Sequence, residues 1–596
     1  MSSNALLAAL LVASATATAQ TPESQTGTPA PAQENAPATP APEGADSTEE
    51  RIRQEVDKRL EAAKQEMREE IRAQLATQSL SSDWQEEWVE EKRKLEIFTM
   101  DGYFRLRPNL LYQFDLGRAP GRELFPRSPR TTERTQSGAD MRLRLEPTFN
   151  ISEEVRVKVQ LDALDNVLLG STPLSSYPDN AFYLFDIFND GQTPPRSALN
   201  SVKDSVMVRE AYGEVSTPVG LLRFGRMNAQ WGLGVLRNDG SCLDCDFGDR
   251  VDRVMFVTEP LEGFYVTPML EFNDEGQGFY NKSDEGPQYD ASSADDSHSW
   301  VLAVARRDTP QQVKAKLDNN QGVLNYGLHF SWRTERFSPA RNDSGAVDPA
   351  QGFVRRNATL YIPDVWLRYE ERNFRVEFEV AANIGSVETA VNVEGAVQNQ
   401  ALDVLNFGGV LQGEYRLLNG QLNLQAEVGF ASGDRAPGFG AYPGREGAGT
   451  AVAGDADGPQ FTCGIGGCSD RLIRNFRFNR AYRVDNILWR ELVGTVTDAV
   501  YVKPTVRYTL TQGFDVFGSA IYSQSIFAES TPSFTDKSLG IETNLGARYE
   551  TEDGFIAKVE WSVLFPLGGL QDANEDLRPA ELATAQSVRG VMGIRF

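Results

Sequence analysis

The sequence predicts an all-β fold: a transmembrane antiparallel up-and-down β-barrel of about eighteen strands, preceded by a short N-terminal α-helical segment of coiled-coil type. Three observations predict it. Apolar and polar residues alternate in many short runs, the connections between these runs alternate between short and long, and the last run closes on an aromatic residue, Phe596. Alternation is the signal of a membrane barrel, because each strand shows one face to lipid and the other to the lumen.

The composition narrows the classes of function. The chain has 596 residues, with 59 Lys and Arg against 84 Asp and Glu, and a formal net charge of -25. Nucleic-acid binding requires clustered cations, so we expect no nucleic-acid partner. The mean hydropathy is -0.40, and no apolar run reaches the roughly 20 residues of a membrane-spanning helix. The sequence therefore argues against a helical membrane protein.

The residues that carry chemistry give little support to an enzyme. The sequence has two histidines, His298 and His329, which argues against most zinc hydrolases. His329 shares a strand face with Ser331, but that spacing does not by itself bring a histidine within hydrogen-bond reach of a nucleophile. We expect that the protein is not an enzyme and that it binds no cofactor, apart from the divalent cations considered below.

The N-terminal residues predict export. Residues 1–19 read as a signal peptide, in which small and apolar residues lead to an A-x-A cleavage pattern at residues 17–19. The run lacks the usual Lys or Arg at its start, and the alternative is a disordered tail. Residues 20–50 are rich in Pro and Ala and predict a disordered linker.

Residues 51–97 predict an amphipathic helix. Its apolar residues recur at steps of three and four, and pairs such as Ile52 and Ala63 are eleven residues apart. An eleven-residue tendency favours a straight or right-handed coiled coil. Two interpretations stay open: a periplasmic coiled coil that holds a homo-oligomer, with a trimer as the expected state, or a single helix packed under or into the barrel.

Residues 98–596 predict the barrel. In the first run, apolar Phe104 and Leu106 alternate with Arg105 and Arg107, which places the two kinds of residue on opposite strand faces. Strand candidates start near residues 103, 139, 154, 206, 220, 251, 263, 299, 321, 359, 374, 405, 421, 499, 514, 538, 555 and 587.

Loop lengths distinguish a membrane barrel from a soluble sandwich. Short connections, such as residues 216–220 and 418–420, alternate with long ones, of which residues 432–497 are the longest. Short periplasmic turns and long external loops are the rule for outer-membrane barrels. An even number of strands places both ends of the barrel in the periplasm. The connection at residues 306–320 is too long for a tight turn, and we expect a helix there.

Several segments resemble a known family. Residues 231–235 (WGLGV), 249–253 (DRVDR) and 476–482 (FRFNRAY), together with the export signal and Phe596, resemble the porin-like superfamily of bacterial outer-membrane β-barrels. The nearest named type is the alginate-export-like barrel of eighteen strands, and the likeness covers residues 101–596 as architecture. The resemblance implies a Gram-negative outer membrane with lipopolysaccharide around the barrel. It also implies that the barrel-assembly machinery recognises Phe596 as its signal.

Strand parity predicts which charged residues line the lumen. Cations dominate the inward face of the first three and last three strands, and acids dominate the strands opposite. A basic wall that faces an acidic wall produces an electric field across the lumen, which orients charged solutes. The alternative is that neighbouring charges pair with one another. The predicted cations are Arg105, Arg107, Arg142, Arg144, Arg156, Lys158, Arg548, Lys558, Arg589 and Arg595. The predicted acids are Glu377, Glu379, Glu414 and Glu427, and parity also places Glu542 on the inward face among the cations.

The four cysteines fall in two predicted external loops. Outside the cytosol we expect disulfides, with Cys242 joined to Cys245 and Cys463 joined to Cys468, although pairing between the two loops is an alternative. Residues 244–249 form a partial calcium-loop pattern, and residues 273–298 are rich in acids. Either acidic loop is a candidate for Ca²⁺ or Mg²⁺, but solvated negative surface is the simpler interpretation.

These patterns together predict a passive outer-membrane channel for small polar or charged solutes. The long loop 432–497 is the candidate constriction or plug. One alternative is export of an acidic polysaccharide through the arginine-lined barrel. The other is a plugged barrel that acts as a structural tether to the cell wall or in surface adhesion.

Overall fold

The computed structural model describes residues 97–118, 134–168, 206–274, 293–339, 353–388, 401–436, 438–439, 472–572 and 582–596. The predicted signal peptide (1–19), the linker (20–50) and all but the last residue of the predicted helix (51–97) lie outside the described residues. So do Cys463, Cys468 and most of the acidic loop 273–298.

The described strands form one sheet that closes on itself. β1 pairs in antiparallel fashion with β2 and also with the last strand, β19. Eighteen strands make the wall, and the two-residue β14 pairs in parallel with β12. The strands are β1 Phe98–Tyr112, β2 Thr135–Asn150, β3 Val155–Leu168, β4 Val206–Thr217, β5 Gly220–Asn228, β6 Arg250–Leu261, β7 Phe264–Asp274, β8 Ser297–Arg306, β9 Val323–Pro339, β10 Phe353–Glu371, β11 Phe374–Val387, β12 Leu402–Leu417, β13 Leu422–Ala431, β14 Leu472–Ile473, β15 Ala499–Thr511, β16 Phe514–Ser525, β17 Ser538–Glu550, β18 Phe555–Pro566 and β19 Ala585–Arg595.

The structure confirms the predicted barrel of eighteen strands. The largest error in a predicted start is at β10, which begins at Phe353 rather than near residue 359. The alternating pattern was sufficient because the two faces of each strand meet different surroundings. In β15, Val502 and Val506 are exposed on the outer face, whereas Tyr501 is buried on the inner face.

The outer face carries the apolar belt of a membrane protein. Aromatic and aliphatic side chains that would be buried in a soluble protein are exposed here, including Trp300, Phe407, Leu411, Leu545 and Trp561. A closed barrel satisfies all backbone groups of its wall and can therefore stand in hydrocarbon. The fold and its belt place the chain in an outer membrane, with the short-turn end of the barrel towards the periplasm.

One short-turn connection contains a helix, α1, at Pro310–Asp318. Thr309 caps it: the Thr309 hydroxyl accepts from the Gln312 backbone N–H, and the Gln312 side chain accepts from the Thr309 backbone N–H. Proline at the first helical position fits this start. The predicted helix at residues 306–320 is confirmed. No helix in the described part of the chain is long and apolar enough to cross a membrane.

Phe596 lies at the seam where the barrel closes. Its backbone N–H donates to the Gly102 carbonyl at 3.1 Å, and the Gly102 N–H donates to the Phe596 carbonyl at 2.9 Å. A Cβ atom at Gly102 would lie 3.1 Å from the Phe596 ring and 2.3 Å from the Arg144 carbonyl oxygen. Glycine at position 102 therefore allows the terminal aromatic ring to lie against the seam.

Two connections turn inward and fill much of the lumen. We call them loop A (residues 229–249, between β5 and β6) and loop B (residues 472–498, before β15). Loop A is one of the long connections predicted at the external end of the barrel, and it folds inward into the lumen. Most of its side chains are buried or half-buried, because charged residues of the inner wall bind its backbone and its aspartates.

Candidate solute pathway in the lumen

Loop A is fixed to one side of the wall by a glutamate. The Glu379 carboxylate, on the inner face of β11, accepts hydrogen bonds from the backbone N–H groups of Gly234 (2.9 Å), Val235 (3.0 Å) and Leu236 (3.3 Å). Gly234 has φ 84°, a left-handed conformation that glycine adopts without steric cost. Successive N–H groups that converge on one anion form a strong backbone site for a carboxylate.

The tip of loop A reaches the opposite side of the barrel. A disulfide joins Cys242 and Cys245. Arg105 of β1 donates to the Leu243 carbonyl at 2.8 Å, and Arg142 of β2 donates to the Cys245 carbonyl at 2.8 Å. Since β1 and β11 lie across the barrel from each other in the strand order, loop A spans the lumen.

Four of the predicted lumen cations are buried under this tip. Arg105, Arg107, Arg142 and Arg144 are each less than 10% exposed. The partners of these arginines are Asp140, Asp162 and Asp165 of the wall and Asp244 and Asp246 of loop A. The four arginines lie on the inner face, where parity predicts them, but wall and loop carboxylates neutralise their charge, which agrees with the alternative that neighbouring charges pair.

The two loop A carboxylates are held in their charged form. Burial alone would raise the pKa of Asp246, but the hydrogen bond and charge of Arg107 lower it to about 2. Burial opposes ionisation of Asp244 as well, yet Arg483 and Arg490 bring its pKa well below the usual value. These ion pairs occupy two of the three carboxylates of the partial calcium-loop pattern, and the third, Asp249, accepts hydrogen bonds from Asn238 and Asn479.

Loop B is fixed in the same way by a second glutamate. The Glu542 carboxylate, on the inner face of β17, accepts from the backbone N–H groups of Asn486 (2.8 Å), Ile487 (3.2 Å) and Leu488 (3.1 Å). These residues lead into a π-helical turn at Leu488–Val493. Each inserted loop is thus held by one wall glutamate that binds three consecutive backbone amides.

Loop B forms an apolar body in the long-loop half of the lumen. Its aromatic and aliphatic side chains pack against inward-facing residues of the wall, and Trp489 donates from Nε1 to the Ser523 hydroxyl at 3.0 Å. The buried loop B residues in this cluster include Phe476, Phe478, Val484, Ile487, Leu492 and Val496. The expectation that the loop 432–497 enters the lumen agrees with its described residues, since side chains from residues 472–497 and Phe439 pack in this cluster.

The two loops bind each other. Arg483 and Arg490 of loop B donate to the Asp244 carboxylate of loop A at 2.6 and 2.9 Å. The Asn479 side chain donates to Asp249 at 2.6 Å. Loops A and B therefore form a joined insert, held at Glu379 and Glu542 on separate strands.

A second apolar cluster closes the lumen beneath β5–β10. Inward-facing residues of these strands pack around Trp231 of loop A, which is 1% exposed. A Cβ atom at Gly327 would lie 2.8 Å from the Trp231 ring, so glycine there makes room for it. The wall residues of the cluster include Leu221, Met255, Met269, Val301, Ala303 and Trp366. We call the inner faces of β1–β10, with loop A against them, the closed sector.

A polar cavity of about 280 Å³ remains on the other side of the insert. It lies between the two loops and the short-turn half of β11–β13 and β15–β18, which we call the open sector. Its cationic lining residues are Arg375, Arg483, Arg490, Lys503 and Lys558, and its acidic lining residues are Asp244, Glu427, Asp485 and Glu560. Cations and acids are thus present in nearly equal number.

The other predicted lining residues also have partners. The closest pairs are Arg156 with Glu214, Arg548 and Arg595 with Glu550, Lys558 with Glu560, Arg589 with Glu491, Arg368 with Glu377, and Arg375 and Arg416 with Glu414. Glu427 accepts from the Tyr501 hydroxyl at 2.6 Å. Lys158 lies on β3, half-buried. Arg223 is buried on the inner face of β5, and Arg226 is exposed on its outer face.

Sequence reasoning missed the insertion of loop A, although a signal for it was present. Residues 231–236 (WGLGVL) are apolar, whereas an external loop is normally polar. The described residues contain no group of three or more His, Cys, Asp or Glu side chains arranged to hold a metal ion. The predicted Cys242–Cys245 disulfide is present, and it lies at the tip of loop A inside the lumen. The glutamates 379 and 542 were placed correctly on inward faces, but their role in holding the loops was not foreseen.

Comparison with known proteins gives fold likeness only. No protein-family model matches the chain, and no curated protein matches it in sequence. OpdL of Pseudomonas aeruginosa aligns with 83% of this chain and 98% of its own length, at 9% identity and a TM-score of 0.42. OccK9 (OpdG) of the same organism aligns with 83% and 98%, at 12% identity and a TM-score of 0.41. OmpT of Vibrio cholerae aligns with 85% and 100%, at 10% identity and a TM-score of 0.34. Likeness at this level says nothing of a solute.

Proposed function

We propose that this protein is a passive outer-membrane channel for small polar solutes, and that solutes pass through the open sector. The observation that carries the proposal is the polar cavity between the joined insert and the wall. A water-filled passage lined by hydrogen-bonding and charged groups selects solutes by width and by the groups it offers. Such a channel needs no catalytic group and no cofactor.

The charges of the lumen support a channel with weak ion selectivity. The arginines at positions 105, 107, 142 and 144 are paired with aspartates, so little uncompensated positive charge faces a solute. The same pairing removes the cations that an exported acidic polysaccharide would use. A cavity of about 280 Å³ also fits a small molecule better than a hydrated polymer.

The plugged structural barrel remains a second candidate. Two apolar clusters, one around loop B and one around Trp231, lie inside the lumen. Solid packing of this kind is what a closed barrel would need. In that case the residues that precede the barrel would tether it to the cell wall or to another surface partner.

The assembly of the channel is also a proposal. We expect the barrel-assembly machinery to recognise Phe596, lipopolysaccharide to surround the external half, and residues 51–97 to hold a homotrimer. Deletion of residues 20–97 tests the last point. If the helix is an assembly device, the shortened protein keeps its conductance and runs as a monomer in native gels. If a silent barrel becomes conductive on deletion, the helix is a plug.

Single-channel conductance in a planar bilayer tests the channel itself. The refolded full chain is first checked by heat-modifiable migration, which shows that the barrel is closed. Steady conductance, with a reversal potential near zero in a KCl gradient, is the result expected of a passage with balanced charges. A verified barrel that gives no conductance would favour the plugged candidate.

A further inference from the structure

One row of inward-facing residues in and beside the open sector carries no charge. The strand register places Gln425 of β13 beside Thr505 of β15, Thr505 beside Ser519 of β16, and Ser519 beside Asn544 of β17. The row continues to Ser562 of β18. We call these five residues the neutral belt. Four of them, residues 425, 505, 519 and 544, line the cavity.

The charges next to the neutral belt are compensated. Lys558 forms an ion pair with Glu560 at 2.7 Å. Lys503 lies beside Glu427 on the neighbouring strand. On the insert, Arg490 is bound to Asp244 at 2.9 Å. A solute at the belt therefore meets hydrogen-bonding groups in a nearly balanced field.

We propose that the neutral belt is a binding subsite for an uncharged polyhydroxyl solute of monosaccharide size. This proposal rests on the proposed channel function and names the class of solute. Hydroxyl and amide side chains both donate and accept hydrogen bonds, as sugar hydroxyls do. An ion that enters the belt loses hydration, and the charges beside the belt are already compensated by partners, so little attraction offsets that cost. The cavity of about 280 Å³ holds one such solute at a time.

An aromatic ring completes the subsite. Phe517 lines the same cavity, and the Lys558 ammonium lies 5.4 Å from its ring centroid. A sugar has an apolar face of C–H groups beside its hydroxyls, and a phenyl ring offers that face an apolar surface. Hydroxyl, amide and aromatic groups thus lie together in the cavity, which suits a polyol and is poorly suited to a small ion.

The test compares solutes of matched size in proteoliposomes that contain the full chain. The probes are glucose, its anionic relative gluconate and its cationic relative glucosamine, and the readout is the rate of osmotic swelling. We expect glucose to enter several-fold faster than either ion, and glucose to reduce the KCl current of single channels in a saturable way. Entry of gluconate or glucosamine at the glucose rate overturns the neutral subsite while the channel stands. Absence of both swelling and conductance overturns the channel and the subsite together.

A pair of matched variants places the effect at the neutral belt. Thr505→Val removes a hydroxyl from the belt, whereas Thr543→Val makes the same change on the lipid-facing side of β17. In the double variant Thr505→Val with Asn544→Leu, the affinity with which glucose blocks the KCl current should fall about five-fold or more, since each lost hydrogen bond costs a factor of several in affinity. Thr543→Val should match the parent chain. Equal glucose block in the double variant and the parent would overturn the assignment.

Discussion

The closed sector and the open sector belong to the same barrel wall and have the same strand geometry, yet they differ in what their inner faces contact. In the closed sector, arginines and aspartates pair under the loop A tip and apolar side chains pack around Trp231. In the open sector, amides, hydroxyls and balanced charges face a cavity. The difference teaches that inward-facing charge does not by itself mark a solute route, because an inserted loop can bind it.

Removal of loop A should have the largest effect. Replacing residues 231–247 with a short Gly-Ser turn takes away Trp231, the disulfide tip and the loop A partners of Arg105 and Arg107. We expect a several-fold rise in conductance and a reversal potential that shifts towards anions, because the arginines then face water. Planar-bilayer recording measures both quantities.

A control shortens a connection that lies at the short-turn end of the barrel. Replacing residues 309–319 with a short turn deletes α1, which buries none of its side chains. This variant should keep the parent conductance. If the loss of loop A changes conductance no more than the loss of α1 does, the closed sector is not sealed by loop A.

Substitution of Glu379 or Glu542 should change the current less than removal of loop A does, and the two substitutions should loosen different loops. Glu379→Ala leaves three backbone N–H groups of loop A without their acceptor, and each buried unsatisfied group costs about 1–3 kcal/mol. Loop A should then move, and current noise should rise. Glu542→Ala should loosen loop B instead, and loop A should keep its protection from protease added to proteoliposomes. Identical protease patterns in the two variants would contradict separate anchors.

Acid should weaken the contact between loop A and the arginines. The pKa of Asp246 falls from an unfolded value of about 4 to about 2, because Arg107 outweighs the effect of burial. A lowered carboxyl pKa contributes stability above pH 4 that disappears as the pH falls towards 2, and the shift corresponds to about 2 kcal/mol. Conductance should stay constant from pH 7 to pH 4.5 and become noisier at lower pH.

The variant Asp246→Asn provides the control for this pH effect. It lacks the carboxylate at every pH, so its current should be noisy at neutral pH and should change less on acidification. A parent chain whose noise begins between pH 5 and 7 would show that a different group governs the contact.

The sequence was sufficient to predict the strands of the barrel wall, but it was not sufficient to predict the contacts of the joined insert. Strand positions follow from a local period of two, and β5, β15, β16, β17 and β18 begin at the residue expected. Loop A has no such period, and its tip binds Arg105 from 138 residues away in sequence. Parity correctly put Glu379 and Glu542 inside the barrel, but parity cannot tell whether water or a folded loop meets an inward side chain.

Thiol labelling of the two sectors tests most directly that solutes pass on one side of the insert. Ser519→Cys places a thiol in the open sector, and Ala303→Cys places one in the closed sector. A negatively charged methanethiosulfonate reagent is added during single-channel recording, with the parent chain as the baseline for its own cysteines. The account predicts that the reagent blocks about half or more of the current at position 519 and leaves the current at position 303 unchanged. Block at position 303 without block at position 519 would contradict it.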